Sequence, residues 1–367
     1  MFRKIIILFL LLFSFSFSNE KVSLQLQWKH QFEFAGFYMA KEKGFYDDIG
    51  LDVEFKEYNV GIDVTKDVLN SKTTFGIAYS DIISNYLNGK EVVYLANILK
   101  QSPLAIATST DIKSSKDLIG KKVMGLDISI NNTPLIVMLK NSGVNLNDLD
   151  LVEPSFDIND FINGKVDATV LYTTNEVFYL EKEDFRYNLL KPSTAGTEFY
   201  DLNLFTSKKE ARNNPIRTRD FKNASIKGWE YAIENIEETI EVIYEKYNTQ
   251  NKTKQHLYYE AIEIRNSMIP NIFDIGSIQK HRVRAIAAKF KEFDLVENVE
   301  INFNDFIFDF NDYTSQVKLV LTKEEKEYLN NKRVLKVHNE NYWPPYNFNS
   351  DNEALGFSID YMEIISS

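Results

Sequence analysis

The chain contains no cysteine, and this absence removes several kinds of site at once. Without thiols there is no disulfide, no thiolate nucleophile and no cysteine-bound zinc or iron–sulfur centre. The cysteine that a bacterial lipoprotein needs for lipid attachment is missing as well. Histidine is scarce, because the four residues at positions 30, 256, 281 and 338 are too far apart for a metal motif. We therefore expect no metal ion and no cofactor.

Positive charge is also in short supply. Lys and Arg number 42 against 53 Asp and Glu, which gives a formal net charge of −11. Such a chain repels nucleic acids and anionic membranes, so we expect neither as a general partner. The sequence has no P-loop, no Gly-x-Ser-x-Gly turn and no paired-carboxylate signature, the patterns of common enzyme classes. These absences favour a binding protein over an enzyme.

Long apolar runs are absent except near the start of the chain. Residues 5–13 are apolar, follow the basic pair Arg3 and Lys4, and precede a serine-rich stretch. This arrangement is typical of a secretory signal peptide over residues 1–18. The alternative is an uncleaved membrane anchor, but the run is shorter than the roughly 20 apolar residues of a span. We therefore predict a periplasmic protein whose mature segment is soluble.

Apolar residues suffice for a large core, because 44% of the 367 residues are hydrophobic and 14% are aromatic. Short apolar strands alternate with short helical patterns as far as residue 206, which predicts an α/β fold. The clearest unit is residues 24–58: an alternating strand, a helix that ends near Gly44, and a second strand after Gly50. Two parallel strands joined through one helix form a βαβ unit.

The composition shifts towards helix after residue 206. Apolar residues from Ile226 to Tyr247 recur at intervals of three and four, which predicts one long amphipathic helix packed on a core. A partner-binding helix is the alternative for this stripe. Further helices are predicted over residues 262–269 and 281–293.

Two loops are candidate walls of a binding cleft. Ligands of open α/β sheets lie beyond the carboxyl ends of the strands, and the loop from Trp28 to Phe34 follows the first strand. Tyr79 and Asp81 follow the strand of residues 73–78 in the same way. The alternative for Asp81, or for Ser80, is to cap the next helix by accepting from its free backbone N–H groups.

The first wall also carries a family resemblance. A strand ending in Gln-Trp, a loop with His30 and Phe34, then Ala-Gly-Phe-Tyr at 35–38, Lys-Gly-Phe-Tyr at 43–46 and Gly-Leu-Asp-Val at 50–53 follow one another. In order and spacing this stretch resembles the thiamine-pyrimidine-synthase-like family of periplasmic substrate-binding proteins, of the SsuA and thiamine-precursor type. The resemblance extends over about residues 22–310. It implies a two-lobed, type II periplasmic binding protein with a cleft between its lobes.

The resemblance also implies a division into domains. A substrate-binding domain would occupy residues 19–310. Its first lobe would combine about residues 19–108 with about 202–310, and its second lobe would take about residues 109–201.

The last part of the chain is interpreted separately. Residues 311–332 are predicted to form a charged helical linker, whose helix from Lys323 to Asn330 starts at the capping-box pattern of Thr322 and Glu325. Residues 333–367 resemble the opening of a family-3, amino-acid-type solute-binding domain, as found in tandem on bacterial sensor receptors. A complete domain of this type needs on the order of 200 residues, so we expect a fragment of a longer protein.

Four site residues are carried over from the resemblance to the first wall. Trp28 would offer a flat face on which a heterocycle stacks, with core packing as the alternative. His30 would exchange a hydrogen bond with a ligand nitrogen or oxygen, or else be solvated. Phe34 is assigned equally to the wall and to the core. Gly36 would permit close approach of the backbone.

Six further candidates lie at strand ends or at the crossover between lobes. Tyr79 and Asp81 would line the first lobe, with Asp81 accepting from a ligand amino group. The second lobe would contribute Asn175 and Glu176, which follow the strand of residues 167–171. Tyr200 and Asp201, at the crossover between lobes, would either line the cleft or act as a hinge.

Three functions remain from this reasoning. The leading hypothesis is extracytoplasmic binding of a small organic solute, a pyrimidine-like or other aromatic heterocycle such as a thiamine precursor. It assigns the chain to the sensor module of a receptor that continues into a histidine kinase or diguanylate cyclase. The alternative is a free substrate-binding subunit of an ABC importer. The least favoured is the eukaryotic pyrimidine synthase of the same fold, which uses pyridoxal phosphate and iron and has a Cys-rich motif without a counterpart here.

Overall fold

The computed structural model describes residues 19–127, 133–196 and 198–314, with scattered positions between 331 and 358. The predicted signal peptide, the predicted linker capping box and the strand expected near residues 334–337 lie outside the described residues. Contacts divide the chain into two units, Met1–Val317 and Lys318–Ser367. No helix among the described residues has the length and apolar character to cross a membrane.

The strands of the first unit fall into two sheets. They are β1 Glu20–Gln25, β2 Leu51–Lys56, β3 Phe75–Ala78, β4 Val92–Leu99, β5 Leu104–Thr108, β6 Lys122–Met124, β7 Asp150–Val152, β8 Ala168–Tyr172, β9 Asn188–Leu190 and β10 Asp201–Ser207. One sheet has the order β2-β1-β3-β10-β4 and the other has the order β7-β6-β8-β5-β9. Each combines parallel and antiparallel pairs. We call each sheet with the helices packed on it a lobe, and the first lobe contains β1.

Helices flank both sheets. They are α1 Ala35–Glu42, α2 Val64–Leu69, α3 Asp81–Leu87, α4 Thr133–Asn141, α5 Asn159–Ile162, α6 Val177–Lys182, α7 Lys208–Asn213, α8 Pro215–Glu234, α9 Ile236–Lys246, α10 Lys254–Met268, α11 Lys280–Glu292, α12 Phe303–Phe306 and α13 Phe310–Thr314. The predicted α/β class with two lobes, the fold of type II periplasmic binding proteins, is confirmed.

The predicted βαβ unit is present as β1, α1 and β2. Strands β1 and β2 run parallel, with Glu20 opposite Leu51 and Gln25 opposite Lys56. Helix α1 ends at Glu42, two residues before Gly44, which has φ +75° and turns the chain back towards the sheet. A second left-handed glycine, Gly50 with φ +72°, precedes β2. The unit places the loop between β1 and α1 at the carboxyl end of β1.

Close packing of α1 against α8 depends on two glycines. A Cβ atom on Gly36 would lie 2.1 Å from Cγ of Trp229, and one on Gly228 would lie 2.1 Å from the Gly36 carbonyl oxygen. The large indole of Trp229 is fully buried. Glycine is therefore needed at both positions so that the two helix backbones can approach. The core of the first lobe is built around this contact.

The prediction of one helix from Ile226 to Tyr247 is wrong. The structure has two helices, α8 and α9, which are separated at Asn235. That residue has φ −126° and ψ 57°, and its side-chain Nδ2 donates to the Tyr231 carbonyl oxygen at 2.9 Å. Asparagine competes with helical bonds in this way, and the apolar stripe continues across the break because both helices pack on one core.

The predicted lobe boundary after residue 108 also needs correction. Strand β5 pairs antiparallel with β8 and with β9, so it belongs to the second sheet. The chain therefore crosses between lobes over residues 100–103, before β5 and not after it. The apolar strands β4 and β5 are separated by only a short polar segment. The hydrophobic pattern therefore does not indicate that the chain changes sheet there.

The second unit contains one small sheet among its described residues. Its strands are β11 Tyr342–Trp343, β12 Asn347–Ser350 and β13 Glu353–Leu355, paired antiparallel in that order. The assignment of this unit to a family-3 domain stays a prediction.

Candidate functional site

Loops from both sheets meet between the lobes. Gln27 and Trp28 follow β1 and Tyr79 follows β3, and these strands are parallel neighbours, so both loops leave the same edge of the first sheet. The Tyr79 ring lies 6.4 Å from the ring of Tyr172, the last residue of β8 in the second sheet. We call the polar side chains gathered here the interlobe cluster; its members are Gln27, Glu33, Tyr79, Asp81, Tyr172 and Asp201.

An amide at the centre of the interlobe cluster joins two carboxyl groups. Gln27 is 3% exposed, and its Nε2 donates to Oε1 of Glu33 at 2.8 Å and to Oδ1 of Asp201 at 3.2 Å. Glu33 also accepts from Nε2 of Gln31 at 2.6 Å. Burial, followed by the charge of Asp201, raises the pKa of Glu33 to about 8. Glu33 is therefore mostly protonated at neutral pH.

Asp201 connects the two lobes through its second oxygen. Oδ2 accepts from Oγ of Ser102 at 2.9 Å and from the hydroxyl of Tyr172 at 3.0 Å, while Oδ1 accepts from the Leu202 amide at 2.7 Å. Burial raises the pKa of Asp201 despite these donors. The prediction placed this residue at the cleft or at the hinge, and the structure puts its carboxyl group in contact with both lobes.

Tyr79 and Asp81 are partly exposed members of the interlobe cluster. Oδ2 of Asp81 accepts from Nδ2 of Asn85 at 2.9 Å, and its buried Oδ1 has no hydrogen-bond partner among the described residues. Burial raises the pKa of Asp81 to about 7. The capping alternative is wrong, because no side chain caps α3, and Oγ of Ser80 instead donates to the Tyr200 carbonyl oxygen.

A second polar group joins α10 of the first lobe to the second lobe. Nζ of Lys252 donates to Oε1 of Glu260 at 2.6 Å, with both side chains 2% exposed, and also to Oδ1 of Asn175. Nδ2 of Asn175 donates to Oε1 of Glu176 at 2.6 Å. Burial raises the pKa of Glu176. The two predicted second-lobe residues are therefore adjacent, and each already has protein partners.

Two further side chains of α10 strengthen this connection. The His256 ring stacks on the ring of Phe178 with centroids 4.3 Å apart, and its Nε2 lies 3.2 Å from the Asn175 carbonyl oxygen. Burial lowers the pKa of His256 to about 3, so the ring is neutral. The hydroxyl of Tyr259 donates to the Thr173 carbonyl oxygen at 2.9 Å. We call the contacts of Lys252, His256 and Tyr259 with the second lobe the α10 clasp.

Trp28 is half-buried and lies among aromatic rings from both lobes. Its ring stacks on that of Tyr58 with centroids 5.6 Å apart and lies 5.7 Å from the ring of Phe156, which belongs to the second lobe. Phe156 is 71% exposed and has φ +60°, an unusual conformation for a bulky residue. Trp28 therefore follows Gln27 of the interlobe cluster in the sequence, and its ring lies next to the second lobe.

Three predicted residues lie within the first lobe instead. Nδ1 of His30 is 2.7 Å from the hydroxyl of Tyr38, and its ring also packs near Tyr247. Burial lowers the pKa of His30. Phe34 is fully buried in the first-lobe core, and the close approach at Gly36 is to Trp229 of α8.

Tyr200 anchors the segment that returns to the first lobe. Its hydroxyl donates to Oε1 of Gln279 at 2.5 Å, and the guanidinium of Arg282 lies 4.4 Å from its ring centroid. Nearby, the crossover residue Lys100 is fully buried and donates to the Ser277 carbonyl oxygen at 2.5 Å. These contacts attach both crossovers to the segment before α11, which favours the hinge alternative for Tyr200.

Sequence reasoning missed several residues of these two polar groups. Glu33 lies in the predicted loop and Gln27 immediately before it, and both were passed over for the neighbouring aromatic residues. Lys252, which is paired with Glu260, contacts Asn175 across more than 70 residues, and no local pattern reveals this contact. His256 and Glu260 are four residues apart on one face of α10, and this spacing was the available signal. Within the described ranges, no three His, Asp or Glu side chains are arranged to hold a metal ion.

Comparisons with known proteins agree with this architecture. A family model described as NMT1/THI5 like matches residues 31–239. A formylaminopyrimidine-binding protein from Halalkalibacterium halodurans is 25% identical over 213 residues, which are 56% of this chain. The match spans 64% of the length of that protein.

Solved structures of binding proteins share the fold. The periplasmic aliphatic sulphonate binding protein SsuA from Escherichia coli has a TM-score of 0.59 at 16% identity, covering 77% of this chain and 95% of its own. SsuA from Xanthomonas axonopodis pv. citri bound to MOPS gives 0.60 at 12% identity, with coverage of 78% and 98%. A protein from Bordetella bronchiseptica gives 0.63 at 17% identity, with coverage of 85% and 98%. At these identities the likeness concerns the fold alone.

Proposed function

Since this chain belongs to the NMT1/THI5-like family, we propose that it binds a small organic solute outside the cytoplasm and makes no covalent bond to it. The solute class is a pyrimidine-like or other aromatic heterocycle, which includes thiamine precursors. The relative from Halalkalibacterium halodurans, named for binding formylaminopyrimidine, supports this class.

The observation that carries the proposal is the position of the interlobe cluster. Gln27, Tyr79 and Tyr172 come from the carboxyl ends of strands in two different sheets, where binding proteins of this architecture hold ligands. Trp28 adds a half-buried aromatic surface beside the cluster. Few polar anchors and an aromatic face are the elements that fix the orientation of a flat solute.

A thermal-shift screen of the full chain tests this function. The screen compares aminopyrimidines with flavins, amino acids and alkanesulfonates, because a ligand in excess of its dissociation constant raises the melting temperature. We expect a pyrimidine to give the largest rise. A rise with amino acids or sulfonates alone would replace the proposed solute class, and calorimetric titration of the hit would supply the affinity.

We further propose that the binding module serves a sensor receptor. The chain forms a second compact unit, Lys318–Ser367, which a binding subunit that acts alone does not need. The reading frame of the gene tests this role. Continuation after residue 367 into a membrane span and a kinase or cyclase domain is the expected result, and a stop codon there would contradict it.

The competing role is that of a substrate-binding subunit of an ABC importer. It is favoured by the fold, which a ligand-binding component of an ABC-type import system from Staphylococcus aureus shares with a TM-score of 0.59 at 10% identity. Adjacent permease and ATPase genes, with uptake of the solute abolished when they are deleted, would select this role over the sensor.

A further inference from the structure

Three carboxyl groups of the interlobe cluster lie within electrostatic range of one another. Glu33 and Asp201 share the Gln27 amide, and the charge of Asp201 also acts on Asp81. Burial, followed by the charges of Glu33, Asp201 and Asp81, raises the pKa of Tyr79, whose ring lies 6.4 Å from that of Tyr172. Both lobes line this group, since Tyr172 of the second lobe donates to Asp201.

Two buried acceptor atoms in the cluster have no donor among the described residues. Gln27 is 3% exposed, and its Oε1 has no hydrogen-bond partner among the described residues. The amide nitrogen of the same group donates to both carboxyl groups. Oδ1 of Asp81 is the second unpartnered buried atom. Buried acceptors without donors are costly, and each is normally satisfied by a partner.

The carboxyl groups of the cluster are not paired with a cationic side chain among the described residues. Across the described part of the chain, no Lys, Arg or His nitrogen lies within 4.0 Å of a carboxyl oxygen of Glu33, Asp81 or Asp201. The charge of Lys90 acts on Asp81 without direct contact, and Lys252 is bound to Glu260. Donors on the carboxyl groups are neutral amides and hydroxyls. A buried cluster of this kind favours a ligand that supplies both N–H donors and positive charge.

We propose that Gln27, Glu33, Asp81 and Asp201 form a subsite for a cationic nitrogen group, an ammonium or amidinium, carried by the solute. This inference rests on the proposed function, because it names the charge of the solute that the same cleft binds. An anionic solute is disfavoured, since its charge would face three carboxyl groups.

Proton binding supports the subsite. Burial raises the pKa of Glu33 to about 8 and that of Asp81 to about 7, so protons partly neutralise the empty cluster at pH 7. A bound cation favours the ionised carboxylates and displaces these protons. Affinity for the cation is therefore expected to increase as the pH rises from 6 to 8, and binding is expected to release protons.

Three aminopyrimidines that differ in one substituent test the charge preference. The substituent is aminomethyl, hydroxymethyl or carboxylate, which makes the probes cationic, neutral and anionic with one ring. Titration calorimetry with the full chain at pH 8 is expected to rank the cation at least tenfold tighter than the neutral probe, and the anion weakest. The heat of cation binding should change with the ionisation enthalpy of the buffer, which reports the released protons.

Variants assign the preference to the cluster. Asp81→Asn, and independently Glu33→Gln in case the first variant is unstable, should reduce the ratio of cation to neutral affinity at least fivefold. Asp150→Asn, the matched change at an exposed residue of β7, should leave the ratio unchanged. Equal or tighter binding of the neutral or anionic probe by the native chain overturns the inference, as does an unchanged ratio in both cluster variants.

A separate pair of probes distinguishes this inference from the proposed function. If no pyrimidine binds, the proposed solute class fails, and methylguanidinium is compared with methanesulfonate at equal ionic strength by thermal shift. A rise in melting temperature with the cation alone, lost in Asp81→Asn and kept in Asp150→Asn, supports the subsite. No rise, or equal rises with both ions, overturns it.

Discussion

The environment of the site shifts the pKa values of its residues in different directions. Glu33, Asp81 and Asp201 are all held in surroundings that raise the pKa of a carboxyl group, whereas His256 is held neutral by burial. Strongly shifted pKa values beside a cleft are typical of functional sites, although structural clusters show them as well. Substitutions that remove one group at a time separate these two roles.

Trp28→Ala should weaken solute binding more than tenfold if stacking on the indole contributes about 2 kcal/mol. Trp28→Phe keeps an aromatic face and should lose less affinity. Tyr258→Ala removes an aromatic side chain that is 48% exposed on α10 and serves as the control. Calorimetric titration measures the three affinities, and an unchanged affinity in Trp28→Ala would remove this residue from the site.

Glu33→Gln should stabilise the solute-free protein increasingly as the pH rises. The pKa of Glu33 is raised from 4.5 to about 8 in the folded chain, so the unfolded chain ionises first over this interval. The stability that Glu33 contributes is therefore present below pH 4.5 and is lost as the pH rises towards 8. Glutamine cannot ionise, so the melting temperature of the variant minus that of the native chain should grow between pH 5 and pH 8.

The matched control for this change is Glu54→Gln on the exposed face of β2. Its melting temperature should follow that of the native chain at every pH. A difference for Glu33→Gln that stays constant from pH 5 to pH 8 would show that the carboxyl group is not held protonated.

At the scale of elements, the sequence predicts structure wherever one local pattern determines it. The β1–α1–β2 unit is predicted correctly, because strand alternation, helical spacing and Gly44 and Gly50 all agree. The break at Asn235 is not predicted, because a single asparagine leaves the helical conformation while the apolar spacing continues. The sheet to which β5 belongs depends on its pairing with β8, which is not encoded in β5 alone.

The candidate site shows the same division. Tyr79 and Asn175 were predicted because they follow strands, where ligands of α/β sheets lie, and Asp201 because it lies at the crossover between lobes. The partners that define their environment, such as Lys252 beside Asn175, are contributed by distant segments. His30 shows the converse, because its place in the loop indicated a ligand contact while its ring packs against Tyr38.

Gly36→Ala should disrupt the contact between α1 and α8. The added Cβ would overlap the Trp229 ring, and overpacking of this kind costs about 1–3 kcal/mol. Urea denaturation measures the loss of stability. Combining the change with Trp229→Leu should give less destabilisation than the sum of the two, because the smaller side chain leaves room for the methyl group.

Gly143→Ala is the control for this comparison. Gly143 has φ +75° and open space around a Cβ, so alanine there incurs only the backbone cost of roughly 1–2 kcal/mol. Its effect should add to that of Trp229→Leu without compensation. Simple additivity at Gly36 as well would contradict the packing account.

At the scale of the whole molecule, the two lobes are joined by more than their crossovers. The α10 clasp adds a buried ion pair, Lys252 with Glu260, and hydrogen bonds to Asn175 and Thr173. Since Leu257 and Ile264 pack α10 into the first-lobe core, these bonds attach one lobe directly to the other.

Lys252→Met should destabilise the protein by about 3–5 kcal/mol, because it leaves the Glu260 carboxylate buried without its partner. Adding Glu260→Gln should restore much of this loss, since the amide is neutral and still accepts from the Phe32 backbone. Lys254→Met, which breaks an exposed pair with Glu241, should change stability by about 0–1 kcal/mol. Denaturant midpoints measure all three, and a similar small effect for Lys252→Met would show that the buried pair is dispensable.

If the proposed solute is held between the lobes, the α10 clasp has a kinetic consequence for its release. Release requires separation of the lobes, and that separation must rupture the bonds from Lys252 and Tyr259 to the second lobe. The dissociation rate of the solute is thereby lowered. The association rate is limited by how often the lobes of the solute-free protein separate. A long residence time would keep the occupied form populated after the surrounding solute has been depleted, and under the proposed sensor role the signal would then outlast the exposure.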